Sequence, residues 1–417
     1  MIKDLIEAMC IIARILATVI PSICLLLTIK LLLNGRRAFS LYAELLVYGF
    51  YVLPFLLNSI FPYRHMAFIE VNAAMKDPYA VILYSGFIII FSIVLYRSGK
   101  KGKETPVSNI EYNPYVVKIG TLFMIATLAI TLLINGFSIL SGYGMGYFSE
   151  DANIITPLFS SSCIFYLVIL AYRGRVKNWV IILDTLLLLL LLWIEGKRSM
   201  IASVVIMAIF TMSISGQLKG KTVVRMLGVA TVSIVAFAYL YGVFLKGNVS
   251  SLRDYFAIDL ARDYTLIYQI HCQRIGRTIS VNYGDALLYI FLFWIPRSVW
   301  PAKPYPFVNA LTRSMLGLSP VNENLGWAST ASIFSDLYDT FNVLGLAIGV
   351  AFICFLCKRT DRSKKATTKV LIIYILVQLI TVQLSAALIA IVVCYCMLRI
   401  CDYLNRKKPA ASWIQQP

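Results

Sequence analysis

Residues 179–194 read WVIILDTLLLLLLLWI, and this run decides the class of fold. One charged residue, Asp184, interrupts it. Arg173-Gly-Arg-Val-Lys177 precedes it and Glu195-Gly-Lys-Arg-Ser199 follows it. At 1.5 Å of rise per residue, a helix of this length crosses most of the roughly 30 Å hydrocarbon core of a bilayer. Further apolar runs of similar or greater length occupy residues 5–33, 39–61, 79–96, 114–134, 154–172, 200–215, 226–245, 331–357 and 370–400. Only helices and closed barrels satisfy their backbone in lipid, and the alternating pattern of barrel strands is absent. An all-α polytopic membrane protein is expected.

Composition agrees. Of 417 residues, 59% are hydrophobic and 14% charged, with a mean hydropathy of +0.79. Soluble domains carry about 25% charged residues. A net charge of +18 would point to nucleic acid in a soluble protein, but here the cations collect in short connectors, as the positive-inside tendency requires. No nucleic-acid partner is expected. The first apolar run is long and lacks a small-residue cleavage site, so no cleavable signal is expected. The nine cysteines fall mostly inside apolar runs and read as small core residues, the Cys354-x-x-Cys357 pair included. With His65 and His271 the only histidines, a histidine-rich metal site is excluded, and no cofactor is expected.

The basic connectors order the topology. Asn34–Arg37, Arg97–Lys103, Arg173–Lys177, Lys219–Arg225, Lys358–Lys365 and Arg406–Lys408 mark the cytoplasmic side. The Gly142–Tyr147 turn, Glu195–Ser199 and the segment 246–330 then face outward. Residues 370–400 are too long for one upright helix between two basic flanks, so two short helices turning near Gln378–Ser385 are expected. Residues 1–33 form one tilted helix or two halves broken at Pro21. The total is about 11 spans, within 10–13. The regions are an N-terminal bundle (1–245), a large outer loop (246–330) and C-terminal helices with a basic tail (331–417), all one integrated domain.

Cations on the outer side oppose the general tendency and so need a reason. The 246–330 segment has eight of them (Lys246, Arg253, Arg262, Arg274, Arg277, Arg297, Lys303, Arg313) against five carboxylates. An anionic ligand is one reason; a solvated loop is the other. In the Glu195–Ser199 turn, Lys197 and Arg198 sit at the membrane surface, and a guanidinium matches phosphate oxygens with a rigid fork of donors. Pro296-Arg-Ser-Val-Trp-Pro-Ala-Lys-Pro-Tyr-Pro306 has four prolines in eleven residues, a stiff frame for Arg297, Trp300 and Lys303. Residues 252–275 read as a weakly amphipathic helix, with Tyr264, Ile267, His271 and Arg274 on one face and Arg262, Gln269 and Gln273 on the other. His271 is a candidate proton acceptor. Asp336 and Asp339 fall in the first turns of the helix expected from Ala331 to Cys357, where Ser329 or Thr330 can cap and carboxylates complement the dipole. Asp336 and Glu323 are further candidate bases.

These pieces resemble the bacterial O-antigen polymerases, the Wzy type. The similarity lies in the bundle of spans, the Gly-Lys-Arg-Ser199 turn, the large outer loop, the Pro296–Pro306 segment and the helix start Asp-Leu-Tyr-Asp-Thr-Phe-Asn-Val-Leu-Gly-Leu at 336–346. Where the family pattern leads one to expect a glutamate before the tyrosine of the last motif, this chain has Asp336. The resemblance implies a GT-C-like polymerase and ligase architecture in a bacterial inner membrane, with the C-terminus cytoplasmic. It implies transfer of a glycan from undecaprenyl pyrophosphate to the non-reducing end of a lipid-linked repeat unit on the periplasmic face, without metal or nucleotide sugar. A chain-length-regulating co-polymerase is the implied protein partner. Arg198 and Arg297 would stabilise the departing pyrophosphate, helped by Lys197, Arg262, Arg274 or Lys303. His271, Asp336 or Glu323 would take the acceptor's proton, and Tyr255, Tyr264 and Trp300 would line the sugar groove. An O-antigen ligase shares the donor and differs in acceptor. A flippase for the same lipid would need charges or broken helices at mid-membrane.

Overall fold

The computed structural model describes residues 2–60, 69–102, 112–140, 152–196, 198–241, 262–282, 284–292, 295, 298–319, 321, 329, 331–381 and 388–406. Among them the regular structure is helical, with one isolated bridge between Arg173 and Val176. In chain order the helices are α1 (Ile2–Leu33), α2 (Phe39–Val47), a π-helical turn (Tyr48–Val52), α3 (Leu53–Ile60), α4 (Ile69–Ala74), α5 (Pro78–Lys101), α6 (Pro114–Asn135), α7 (Ala152–Ala171), α8 (Asn178–Glu195), α9 (Arg198–Ile214) and α10 (Gly220–Tyr241). After these come α11 (Asp263–Arg274), α12 (Asp285–Leu292), α13 (Phe307–Met315), α14 (Ile333–Arg362), α15 (Ala366–Thr381) and α16 (Leu388–Arg406). Among the described residues, six helical segments are long and apolar enough to cross a membrane: Asp4–Leu33, Phe39–Ile60, Pro78–Lys101, Pro114–Asn135, Asn178–Glu195 and Ile333–Arg362. Thr156–Ala171, Met200–Ile214 and Ala366–Thr381 are shorter apolar helices.

α1 runs unbroken through Pro21. It packs along α5, and its outward residues, Leu5, Ile11 and Leu26 among them, stay exposed, as lipid-facing residues do. The 370–400 region divides into α15 and α16; residues 382–385 of the expected turn lie outside the described set.

Contacts divide the chain into two compact units. The first comprises Met1–Lys103, Thr231–Arg359 and Leu376–Ala386. In it, α1, α2 and α5 pack together, and a cluster of rings forms from Tyr51, Tyr84, Phe87, Phe91 and Phe334. The described part of the segment read as an outer loop is a folded helical cap with its own core. Tyr264, Tyr268 and Cys272, one turn apart along α11, meet Ala286, Phe307, Leu311 and Met315, and the ridge is completed by Val71 and Ala74 of α4. Burying each of the large side chains contributes about 1.5–3 kcal/mol, enough to fold the segment instead of leaving it solvated. The Tyr268 hydroxyl donates to the Ser314 carbonyl at 2.7 Å, so the core leaves that polar atom satisfied.

One expected helix is corrected. The run from Ala331 to Cys357 is not a single straight rod, because α14 reverses at Asn342 (φ 56°, ψ −141°). In a straight helix Gly345 would stand ~12 Å beyond Leu337. Instead the Leu337 carbonyl oxygen lies where a Gly345 side chain would begin, and Phe334 ring carbons lie 2.7 and 2.8 Å from the corresponding point on Gly349. Residues 333–341 therefore fold back on 343–362 as a tight hairpin. The Gly345-x-x-x-Gly349 spacing supplies the close approach, as small residues do between membrane helices.

The second unit comprises Glu104–Ala230, Thr360–Ile375 and Ala387–Pro417. Within it α7 packs against α6, α8, α9 and α16. Asp184, the one charge in the leucine run of α8, is fully buried and accepts from Thr121 Oγ1 at 3.1 Å. α8 ends in left-handed Gly196 (φ 67°), whose amide donates to the Leu192 carbonyl.

Candidate functional site

The site is built on α11, whose residues from Asp263 to Cys272 are buried, His271 excepted. The helix expected over 252–275 is described from its entry at Arg262 onward. Arg262 is only 2% exposed. Its amide donates to the Phe50 carbonyl, its Nε donates to the Thr381 carbonyl at 2.8 Å, and its guanidinium lies over the Phe50 ring. Beside it the Asp263 carboxylate accepts from Asn58 Nδ2 at 2.8 Å. Burial pushes the Asp263 carboxyl up to about 6, a rise eased by the Asn58 hydrogen bond. A carboxyl raised in the folded state stabilises below its unfolded value near 3.8, and that contribution is lost as pH rises through about 6. Asp263→Asn removes the titration. Between pH 4.5 and pH 7.5 the wild type should lose on the order of 2 kcal/mol more stability than the variant. Parallel melting curves across that range for the two proteins would contradict the assignment.

Asp77 explains how α11 docks on α5. The Asp77-Pro78 pair starts α5 as an N-cap followed by proline at the first helical position, and Asp77 Oδ1 accepts from the Tyr79 amide. Its other oxygen, Oδ2, meets His271 Nδ1 at 2.7 Å and Arg274 Nε at 2.8 Å. The carboxylate accepts from Nδ1 and so fixes the orientation of the imidazole ring. The Asp77 side chain is 1% exposed, His271 16% and Arg274 47%. The arrangement fixes an imidazole at the edge of the cap.

On the other face of α11 opens a cleft of about 250 Å³. Gln269 and Gln273 of α11, Arg277, Ser280 and Asn282 of the following turn, and Tyr338 and Asp339 of the α14 hairpin line it. Gly276 (φ 72°) lets the chain turn sharply after α11. Arg277 reaches Glu70 at 3.3 Å and the Ser314 carbonyl at 3.2 Å. Asp339 Oδ2 accepts from Ser280 Oγ at 2.7 Å. Gln269 is 2% exposed, yet neither its amide oxygen nor its amide nitrogen has a hydrogen-bond partner. A buried primary amide without partners costs free energy unless something enters the cleft to meet it. Next to Asp339, Asp336 is fully buried with both carboxyl oxygens unpartnered. The cleft thus presents amides, hydroxyls, a phenol, a carboxylate and a guanidinium whose charge Glu70 meets. That donor and acceptor set suits a neutral, hydroxyl-rich ligand whose proton a carboxylate can accept.

The residues singled out from sequence fall in different places. His271 and Arg274 share Asp77, and Asp336 is fully buried and does not line the cleft. Tyr264 is core, and Arg262 is built into the packing. Lys303 is 6% exposed, with Nζ donating to the Ile295 carbonyl at 2.9 Å and lying over the Tyr289 ring, while Trp300 offers its carbonyl to the Lys303 amide. Ser329 gives its amide to Thr312 Oγ1 and its hydroxyl accepts from the same oxygen, four residues before α14 begins at Ile333, while Thr330 lies outside the described residues. Arg198 is the first residue of α9 in the second unit. Lys197, Tyr255, Arg297 and Glu323 lie outside the described residues, as does the side chain of Arg198. The sequence does not mark Asp339 as a cleft carboxylate, Gln269 as a buried unpartnered amide, or Asp77 as the partner of His271 and Arg274. Asp77-Pro78 carries a helix-start signal that marks its capping role, but nothing in the sequence marks an orphaned amide. No family model, curated protein or solved structure matches the chain.

Proposed function

We propose that this chain is a membrane-embedded glycosyltransferase that polymerises lipid-linked oligosaccharides. It moves a growing glycan from undecaprenyl pyrophosphate onto a hydroxyl at the non-reducing end of a second lipid-linked repeat unit. The observation that carries the reading is the cleft of the cap, where the unpartnered Gln269 amide, Tyr338 and the Asp339 carboxylate converge. In the reaction, the bond from the anomeric carbon to pyrophosphate breaks as the new glycosidic bond forms. The acceptor hydroxyl gives its proton to Asp339, which Ser280 holds in place, and Gln269 and Gln273 orient the sugar. Asp339 is a better base than His271 because it lines the cleft and His271 does not. Arg198 and Arg297 carry the charge of the leaving pyrophosphate, whose stabilisation supplies most of the rate gain. The positive-inside tendency of the basic connectors supports a cap on the side opposite the cytoplasm, the periplasmic face of an inner membrane.

Replacing either arginine tests the donor half. In cells, Arg198→Ala and Arg297→Ala, each at normal protein level, should shorten or abolish the polysaccharide ladder on a gel. Full-length ladders from both variants would contradict the assignment of donor binding to these residues.

A further inference from the structure

The cap docks on the start of α5 through Asp77, and the other end of that helix gathers cations. α1 closes through left-handed Gly35 (φ 87°). The Gly35 and Arg36 amides donate to the Leu32 and Leu31 carbonyls, which fixes Arg36 just past the helix end. Arg36 Nη1 then donates to the Gly102 carbonyl at 3.5 Å, which brings it against the end of α5. There Arg97 stands three and four residues before Lys100 and Lys101, so it neighbours both on the helix surface. All four side chains are exposed. Like charges at this spacing repel. Several other cations of the chain are matched: Arg274 by Asp77, Arg277 by Glu70 and Lys365 by Asp402. Among the described residues no carboxylate pairs with any of these four. The positive-inside tendency accounts for cations on this side of the membrane, but not for crowding them at one point without counter-charge.

Along α5 from these cations the surface turns apolar. Ile90, two turns before Arg97, lies in line with Arg97 and Lys101 and is 59% exposed. The charges therefore begin about 10 Å along the helix from an outward-facing apolar side chain. At the end of α1, Leu33 is 42% exposed. We propose that Arg36, Arg97, Lys100 and Lys101 bind the headgroup of an anionic phospholipid whose acyl chains lie along Ile90 and Leu33. Guanidinium and ammonium groups donate well to phosphate oxygens. A free phosphate would meet the charge but gain nothing from the apolar stripe. A zwitterionic headgroup would bring a cation of its own to a place already crowded with them.

The test uses the full chain in dodecyl maltoside micelles, melted against increasing dioleoyl phosphatidylglycerol at constant ionic strength. Wild type should gain thermal stability in a saturable way. Dioleoyl phosphatidylcholine and sodium phosphate should leave the melting point where it is. Arg36→Gln should raise the half-saturating lipid concentration about fivefold, and Lys100→Gln combined with Lys101→Gln about twenty-five-fold, as about 1 kcal/mol per cation requires. Lys118→Gln removes an exposed cation of α6 and should leave that concentration unchanged. No stabilisation by phosphatidylglycerol, equal stabilisation by phosphatidylcholine or by sodium phosphate, or an equal loss from Lys118→Gln and Arg36→Gln would overturn the proposal.

Discussion

Asp339→Asn should leave the protein folded and lower the polymerisation rate at least a hundredfold, the lower end of the roughly 10²–10⁴-fold contribution of a positioned general base. The substitution keeps volume, and the Ser280 hydroxyl can still donate to the remaining amide oxygen in place of the carboxylate that it meets at 2.7 Å. What disappears is the ability to accept the acceptor's proton. Asp336→Asn is the informative companion. Asp336 is fully buried and does not line the cleft, so its replacement should cost far less in rate. Gln269→Ala should raise the acceptor concentration needed for half-maximal rate more than it lowers the maximal rate, because its amide orients the acceptor and takes no proton. If Asp336→Asn and Asp339→Asn proved equally damaging, or Asp339→Asn were harmless, another base would have to be sought.

Gly345→Val should be the most damaging single change to the fold. The atom in its way is the Leu337 carbonyl oxygen, part of the backbone of the opposite arm, which no rotamer change can move aside. Overpacking commonly costs about 1–3 kcal/mol, and a clash with backbone at a hairpin apex should reach or exceed the upper figure. Gly349→Ala meets the Phe334 ring at 2.7–2.8 Å. That ring can shift, so the penalty should be smaller. Ala347→Val, at an exposed position between the two glycines, should be close to neutral. The comparison is made by thermal melting and monodispersity in detergent. A normal melting point for Gly345→Val would mean that α14 does not fold back on itself.

Much of the architecture was legible as length and charge. Apolar runs marked the long helices, and the length of 370–400 required the division that separates α15 from α16. The reversal at Asn342 was not legible as a helix end, because its neighbours Phe341 and Val343 are apolar and no proline or glycine adjoins it. Only the Gly345-x-x-x-Gly349 spacing hinted that a second backbone passes close by. The helix over 252–275 could be read within the outer loop, but its packed core could not, because that core is spread over distant segments. Tyr264, Tyr268 and Cys272 form a helical stripe that can be seen in sequence, but the Val71 and Ala74 that cover it belong to a helix far earlier in the chain. Arg262 illustrates the same limit. As a letter it is an outer cation, whereas in the fold the Thr381 carbonyl and the Phe50 ring enclose it. The cleft depends on an amide left without partners, and that is a property of packing alone.

The most direct test of the central claim is to incubate the purified protein with synthetic undecaprenyl-pyrophosphate repeat units and separate the glycans by size. A ladder rising by whole repeat units, with release of undecaprenyl pyrophosphate, is the expected result. Substrate that remains at one repeat unit, or that only crosses the bilayer without forming a new glycosidic bond, would contradict it.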